Sequence, residues 1–425
     1  MEKIQLSIAQ RFPALASRDF LIFWLGHLLS LVGTSMQNTA LPLLAYRLSG
    51  RPLDLGLIGF AATLPTFFLA LPGGVWIEHM DKRKAIIVLQ TVMMLDTFAL
   101  AVLTLNGSVQ IWHIVLLTLI LGIATAIEIT ARQAMLIELV GREALPNAIG
   151  LQSTAFNLSR VLGPSLVAPF LLLFPGSGEG WVFFINGISF LTIIIGLFFV
   201  RTRFKLPPLP RSEPMLKELR EGALYIIRRS SVGLLILNAA ILGLLALPVI
   251  LQLPVLSQDI LAQPGDTKAI VDGRNSAIYT AQGVGALLAA FAIVINNTAV
   301  KREQRMILGQ VAFLAGMFGI GFSNSIWLTV ALVALMGWGA VTQLATMNTL
   351  VQLQIPNGLR GRVFSIYLWA LQGIAPFGSL LVGWMTQELG LPVTLVICGM
   401  ICTAIVGAIH VFRPDVRRSD GESFT

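Results

Sequence analysis

The 425-residue sequence predicts an all-α polytopic membrane protein, with twelve transmembrane helices in two pseudo-symmetric six-helix bundles. Three observations predict it: an apolar composition, a recurrence of uncharged runs long enough to cross a bilayer, and a one-sided placement of cations. Hydrophobic residues make up 56% and charged residues 12%, where a soluble domain carries about a quarter charged. The mean hydropathy is +0.81. The 39 Gly and 8 Trp fit the same solvent, because glycine lets helices approach closely and tryptophan favours the membrane interface.

A crossing helix needs roughly 20 apolar residues. The first such run is 20–46, after Arg18 and before Arg47. It is followed by 55–77 and by 85–105, between which stand Asp81, Lys82, Arg83 and Lys84. The runs 110–131 and 148–174 flank a segment containing Arg132, Glu138 and Arg142, and 181–200 ends at Arg201. The second set is 232–256, 276–297, 306–322, 326–350, 363–386 and 391–412. The cut at Phe322-Ser323-Asn324-Ser325 is required because the uncharged stretch Met306 to Leu359 is far too long for one crossing.

With this assignment 24 of the 29 cationic residues fall on the side of the termini and four, Arg47, Arg51, Lys268 and Arg274, on the other. The positive-inside rule then places both termini in the cytoplasm. Residues 1–19 form a cytoplasmic segment without the short apolar core of a removable signal peptide. The organisation expected is a bundle at 20–200, a cytoplasmic linker at 201–230, a second bundle at 231–412 and a tail at 413–425. The linker carries Pro207, Pro208, Pro210 and Pro214, then a short basic amphipathic helix at 215–229, read as a tether on the anionic inner leaflet. The run Leu136 to Leu145 before the fifth span resembles Leu350 to Leu359 before the eleventh. Gly163-Pro164 and Ala375-Pro376 recur at nearly the same interval, as parallel repeats do.

The excess of basic residues sits in short loops rather than on one face, which excludes nucleic acid as a partner. Cys398 and Cys402 are too few for a metal site or a disulfide framework. No nucleotide-binding glycine loop and no paired nucleophile and base stands out, so the sequence describes neither an enzyme nor a cofactor-dependent protein. The partners expected are a small-molecule substrate and the lipid bilayer, with the protein itself monomeric.

Ionisable groups at bilayer depth are costly and are functional candidates by default. Asp96 and Arg160 lie about twelve and thirteen residues into their spans, which at roughly 1.5 Å per residue puts both near mid-membrane. Equal depth suggests that the two are coupled, directly or through water. Glu128 near the inner end of the fourth span is a further candidate, with an alternative reading as an ion pair with Arg132 one turn away. No Asp or Glu is expected inside spans seven to twelve, so proton coupling would belong to the first half. Gln37, Asn38, Asn238, Gln343 and Asn348 are neutral polar candidates for a substrate cavity. Their apolar surroundings suit an amphipathic or hydrophobic ligand. His27 could titrate near neutrality, with a satisfied interhelical hydrogen bond as the alternative.

Between spans two and three the chain reads Gly74-Val-Trp-Ile-Glu78-His79-Met-Asp81-Lys82-Arg83-Lys84. This resembles the Gly-x-x-x-Asp-Arg-x-Gly-Arg-Arg loop of the major facilitator superfamily, with Glu78 and His79 departing from it. Ala131-Arg132-Gln133-Ala134, Pro146-Asn147-Ala148, Phe156-Asn157-Leu-Ser-Arg160-Val-Leu-Gly163-Pro164 and Leu359-Arg360-Gly361-Arg362-Val363 resemble its branch of enterobactin exporters and macrolide-efflux permeases. The resemblance implies a secondary transporter of the inner membrane that exports an amphipathic small molecule by proton antiport. Import or flipping of a lipid-like molecule on the same fold is the alternative. It also implies a cytoplasmic gate of Gly74, Glu78, Asp81, Lys82, Arg83, Arg132, Gly361 and Arg362, in which Glu78 docks near the start of span eleven. Gly163 and Pro164 match part of an antiporter motif and suggest a hinge in helix five.

Overall fold

The computed structural model describes residues 13–69, 80–202, 215–228, 230–295, 302–356 and 359–412, and among these it is helical with no strand. A 3-10 turn at Pro13–Ala16 precedes α1 (Arg18–Ser49), α2 (Pro52–Leu69) and α3 (Lys82–Leu105). Then come α4 (Ile111–Gly141), α5 (Glu143–Leu173) and α6 (Gly178–Phe199). The linker helix α7 (Met215–Arg228) leads to α8, which spans Ser231–Ile260, and to α9 (Lys268–Ile295) and α10 (Arg302–Gly321). The chain ends with α11 (Ile326–Gln354), α12 (Arg362–Leu389) and α13 (Leu391–Phe412). Eleven of the described helices are long and apolar enough to cross a membrane. Helix α10, 20 residues long with Arg302, Glu303 and Arg305 in its first turn, is not among them, so the count of twelve rests on that helix.

The predicted loop between spans four and five is helical instead. Helices α4 and α5 run almost end to end and bend only at Gly141, whose φ of 75° and ψ of 172° suit glycine alone. The extra turns exist because they carry an apolar face. Ala131, Met135 and Leu139 pack with Phe23 of α1, Ile86 of α3 and Leu197 of α6. Leu136 and Ala148 pack with Ala14 and Phe20. The Asn147 side chain accepts a hydrogen bond from the Ala14 backbone N–H at 3.2 Å.

By spatial contact the chain divides into two compact units, residues 1–48 with 64–209, and residues 49–63 with 210–425. The first part of α2 therefore belongs with the second unit. There Gly56 lies so close to α12 that a Cβ would meet the Ser379 carbonyl oxygen at 2.6 Å and Gly383 Cα at 3.2 Å. Gln252 of α8 donates to the Pro52 carbonyl at 3.3 Å.

Helix α8 is not a regular helix. After Ser230–Ile241 it widens into a π turn at Leu242–Ala246, tightens to 3-10 at Leu247–Gln252 and widens again at Leu256–Ile260. The causes are Pro248 and Pro254, which lack an N–H and would clash with the carbonyls of Leu244 and Ile250 in a regular helix. Tyr279 Oη of α9 donates to the Ile250 carbonyl at 3.2 Å. In α12 a π turn at Trp369–Gly373 likewise precedes Pro376. The two π turns meet: a Cβ on Gly243 would stand 2.1 Å from the Leu371 carbonyl oxygen, and a Cβ on Gly378 2.1 Å from that of Leu244.

Internal repetition extends further than the loops suggested. Ile111-Trp112 opens α4 and Ile326-Trp327 opens α11, and the interval between them is the one that separates Gly163 from Gly378.

Candidate functional site

The first unit carries a buried polar spine along its length. At one end the Arg47 guanidinium of α1 pairs with Glu179 of α6. Further along, Gln37 Oε1 of α1 accepts from Asn186 Nδ2 of α6 at 2.6 Å and from Thr97 Oγ1 of α3 at 3.4 Å. The helices can come this close because Gly33 has no side chain: a Cβ there would stand 2.5 Å from Ser189 Oγ and 2.6 Å from Asn186 Oδ1. Ser35 Oγ of α1 donates to Ser159 Oγ of α5 at 3.2 Å, one helical turn before Gly163. Gly163 itself presses on Ser35 and Met36. Helix α5 stays α-helical through Gly163-Pro164.

Nearer the other end, Arg132 Nε donates to Glu128 at 3.1 and 3.4 Å along α4, and Gln90 Nε2 of α3 reaches the same carboxylate at 3.4 Å. Glu128 is 4% exposed, so the ion pair with Arg132 is buried. His27 stacks on Phe23 with ring centroids 5.7 Å apart. Its Nδ1 is buried with no hydrogen-bond partner among the described residues. Beyond them Lys82 Nζ pairs with Glu138 at 2.5 Å. Arg83 donates to the Phe198 carbonyl at 3.1 Å, and Asp81 caps α3 by accepting from the Lys84 N–H at 3.2 Å.

The structure brings Glu128, Arg132 and Gln90 together but does not join Asp96 to Arg160 in a direct ion pair among the described residues. Neither is part of an ion pair among the described residues. Asp96 is buried, and Arg160 lies over the Phe156 ring at 6.0 Å. Equal depth does not by itself make a direct ion pair, because depth is fixed by position along a helix and contact by the rotation of both helices. Gly74 and Glu78 lie outside the described residues. Arg362, the expected receiver at the start of the eleventh span and next in the chain to Gly361, pairs with Glu221 of α7. Helix α7 is docked on the start of α12, since Tyr225 Oη also donates to the Gln354 carbonyl at 2.8 Å and Gly222 lies against Arg362 and Ile366.

Among the cavity candidates Gln37, Asn238 and Gln343 are buried, Asn38 is exposed and Asn348 is half-buried, accepting from Gln352 Nε2 at 2.6 Å. Gln37 is committed to Asn186 and Thr97. Helix α8 runs to Ile260 and α9 begins at Lys268. Both helices reach beyond the uncharged runs and so take in Asp259 and Asp272, the latter 2% exposed. The partnership of Arg47 with Glu179 was also missed, since both were counted as loop residues. The signal available was their opposite charge on the same side of the membrane.

A family model described as "Transmembrane secretion effector" matches residues 9–424. The chain belongs to that family. Its members are major facilitator superfamily transporters, which agrees with the expected fold. Among curated relatives, the multidrug efflux pump Tap of Mycolicibacterium fortuitum is 24% identical over 91% of this chain and 94% of its own length. The enterobactin exporter EntS of Salmonella typhi is 24% identical over 98% of each. Solved structures of similar fold include the nucleoside transporter NupG, with a TM-score of 0.71 at 12% identity, covering 92% of this chain and 98% of that one. A bacterial homologue of the human lysosomal transporter Spinster has a TM-score of 0.60 at 16% identity, covering 95% and 90%. The chain is thus a polytopic membrane transporter of the major facilitator fold.

Proposed function

We propose that this transporter exports an amphipathic small molecule, of the drug, macrolide or siderophore kind, by proton antiport with alternating access. The observation that carries the reading is full-length similarity to one protein named as a multidrug efflux pump and another named as an enterobactin exporter. The chemistry of the chain supports it. Ionisable groups inside the helices of the first unit are few and most are committed to each other, which leaves an apolar wall with isolated neutral polar groups for a ligand. The reading includes insertion in the bacterial inner membrane as a monomer with both termini cytoplasmic.

Everted membrane vesicles energised by a proton gradient test the direction. They are expected to accumulate ethidium as an amphipathic probe and to release it when an ionophore collapses the gradient. Accumulation confined to right-side-out vesicles would instead support the import or flipping reading.

A further inference from the structure

We propose that Asp96 is the group that binds the exchanged proton, in a site closed within the first unit between α3 and the helices packed against it. This rests on the antiport reading above and names the residue that carries it.

Two buried carboxylates on neighbouring helices of this unit could serve, and their surroundings separate them. Glu128 already has its counter-charge, because Arg132 lies at 3.1 Å and Gln90 donates to the same oxygen. Protonating Glu128 would strand a buried guanidinium, and breaking a buried pair in that way is costly. Asp96 is 6% exposed, and its Oδ1 has no hydrogen-bond partner among the described residues.

Among the described residues the ion pairs on the elements around Asp96 are formed between other groups. On α4, Glu128 is held by Arg132 and Glu138 by Lys82 of α3. On α6, Glu179 is paired with Arg47 of α1. Asp19 of α1 accepts from the backbone of Arg201 and Thr202. His27 of α1 stacks on Phe23, and Arg160 of α5 lies over Phe156. Among the described residues no ion pair compensates negative charge at Asp96, and a proton is the neutraliser left to it.

The position suits the task. One turn before Asp96, Met93 packs on Ala124 of α4 and Phe190 of α6, which closes the site toward the Glu128 end. The next residue, Thr97, bonds to Gln37 and so joins the Gln37–Asn186 seam that links α1 to α6. That seam is the polar material nearest in sequence to the carboxyl, and it gives water a hydrogen-bonded edge to follow when the helices part. In the exchange the acid O–H bond breaks, its electron pair stays on the Asp96 oxygen and the proton passes to water on the inner side. Reprotonation from the outer side restores the acid while substrate moves outward.

The test has a spectroscopic and a transport arm. Infrared spectra of the full-length protein in lipid read the C=O stretch of a protonated carboxyl, which is distinct from that of a carboxylate. The wild-type band is expected to vanish in Asp96→Asn and to persist in Glu128→Gln. If the band survives Asp96→Asn unchanged, the assignment is overturned whatever transport does. In everted vesicles Asp96→Asn is expected to lower gradient-driven ethidium accumulation by about tenfold or more. Downhill ethidium exchange should remain, and Asp96→Glu should recover part of the driven uptake. An Asp96→Asn protein that keeps its driven uptake overturns the assignment alone. Wild-type vesicles that ignore the gradient overturn the antiport reading itself. Should Asp96→Asn fail to assemble, the band must shift in Asp96→Glu, and an unshifted band overturns the assignment as well.

Discussion

Helices α5 and α12 place a proline at nearly corresponding points, yet one stays regular and the other does not. Through Gly163-Pro164 helix α5 keeps its α geometry, and its glycine fits against Ser35 and Met36 of α1. Before Pro376 helix α12 opens into a π turn that nests against a second π turn in α8, where Gly243 covers the Leu371 carbonyl and Gly378 covers that of Leu244. The difference teaches that a proline supplies the freed carbonyl, but the facing helix decides whether the backbone widens around it. A glycine Cα set against the carbonyl accommodates the wide turn through close backbone contact. The same contrast runs through the two units. The first is tied by buried ion pairs and side-chain hydrogen bonds, whereas the helices of the second meet largely through glycine on backbone.

The strongest way to break that comparison is in the first unit. Lys82→Met leaves the buried Glu138 carboxylate without its cation and should cost about 3 kcal/mol or more, read as a lowered melting temperature of the purified protein. An unchanged melting temperature would mean that charge does not hold this unit. Next come Gly243→Ala and Gly378→Ala, each expected to cost about 2 kcal/mol because backbone rather than a side chain stands in the way. Gly187→Ala, whose Cβ would meet only the Phe98 ring at 2.5 Å, should cost less, and a reversed order would contradict the account of the π turns.

Much of this architecture is legible in the sequence. The cut at Phe322 to Ser325 stands, with α10 ending at Gly321 and α11 beginning at Ile326, because a polar turn between apolar runs has no other place to go. The helical extension through Arg132 to Asn147 was not legible, since its charges read as a loop while its apolar face matters only once α1, α3 and α6 are in place. In the candidate site, Asp96 and Arg160 were visible as costly residues, but the absence of a direct ion pair between them among the described residues was not. Pairing needs rotation angles that hydropathy does not carry.

Smaller effects sharpen the contrast. Gln37→Leu removes the acceptor shared by Asn186 and Thr97 and should cost about 1–2 kcal/mol by the same melting measurement. Glu221→Gln, at a half-exposed pair with Arg362, should cost less than about 1 kcal/mol. At the exposed loop before α9, the Arg274 hydrogen bond holds the Asp266 carboxyl below its usual 3.8, helped by the Gln263 backbone N–H at 2.6 Å. A depressed carboxyl contributes above its unfolded value and loses that contribution as pH falls through the native one. Hydrogen exchange at the Gln263 amide should therefore remain slow at neutral pH and, once corrected for intrinsic rate, quicken only below about pH 4. Quickening already at about pH 6 would rule this link out.

The sequence by itself determined the solvent and the approximate helices, because each depends on how many apolar or charged residues follow one another along the chain. Tertiary structure decided which buried charges are partnered, where prolines widen a helix and that the linker helix docks on the start of α12. Those outcomes depend on which face each helix turns to its neighbour, a rotation settled by close contacts such as Gly33 on Asn186 and Gly243 on Leu371.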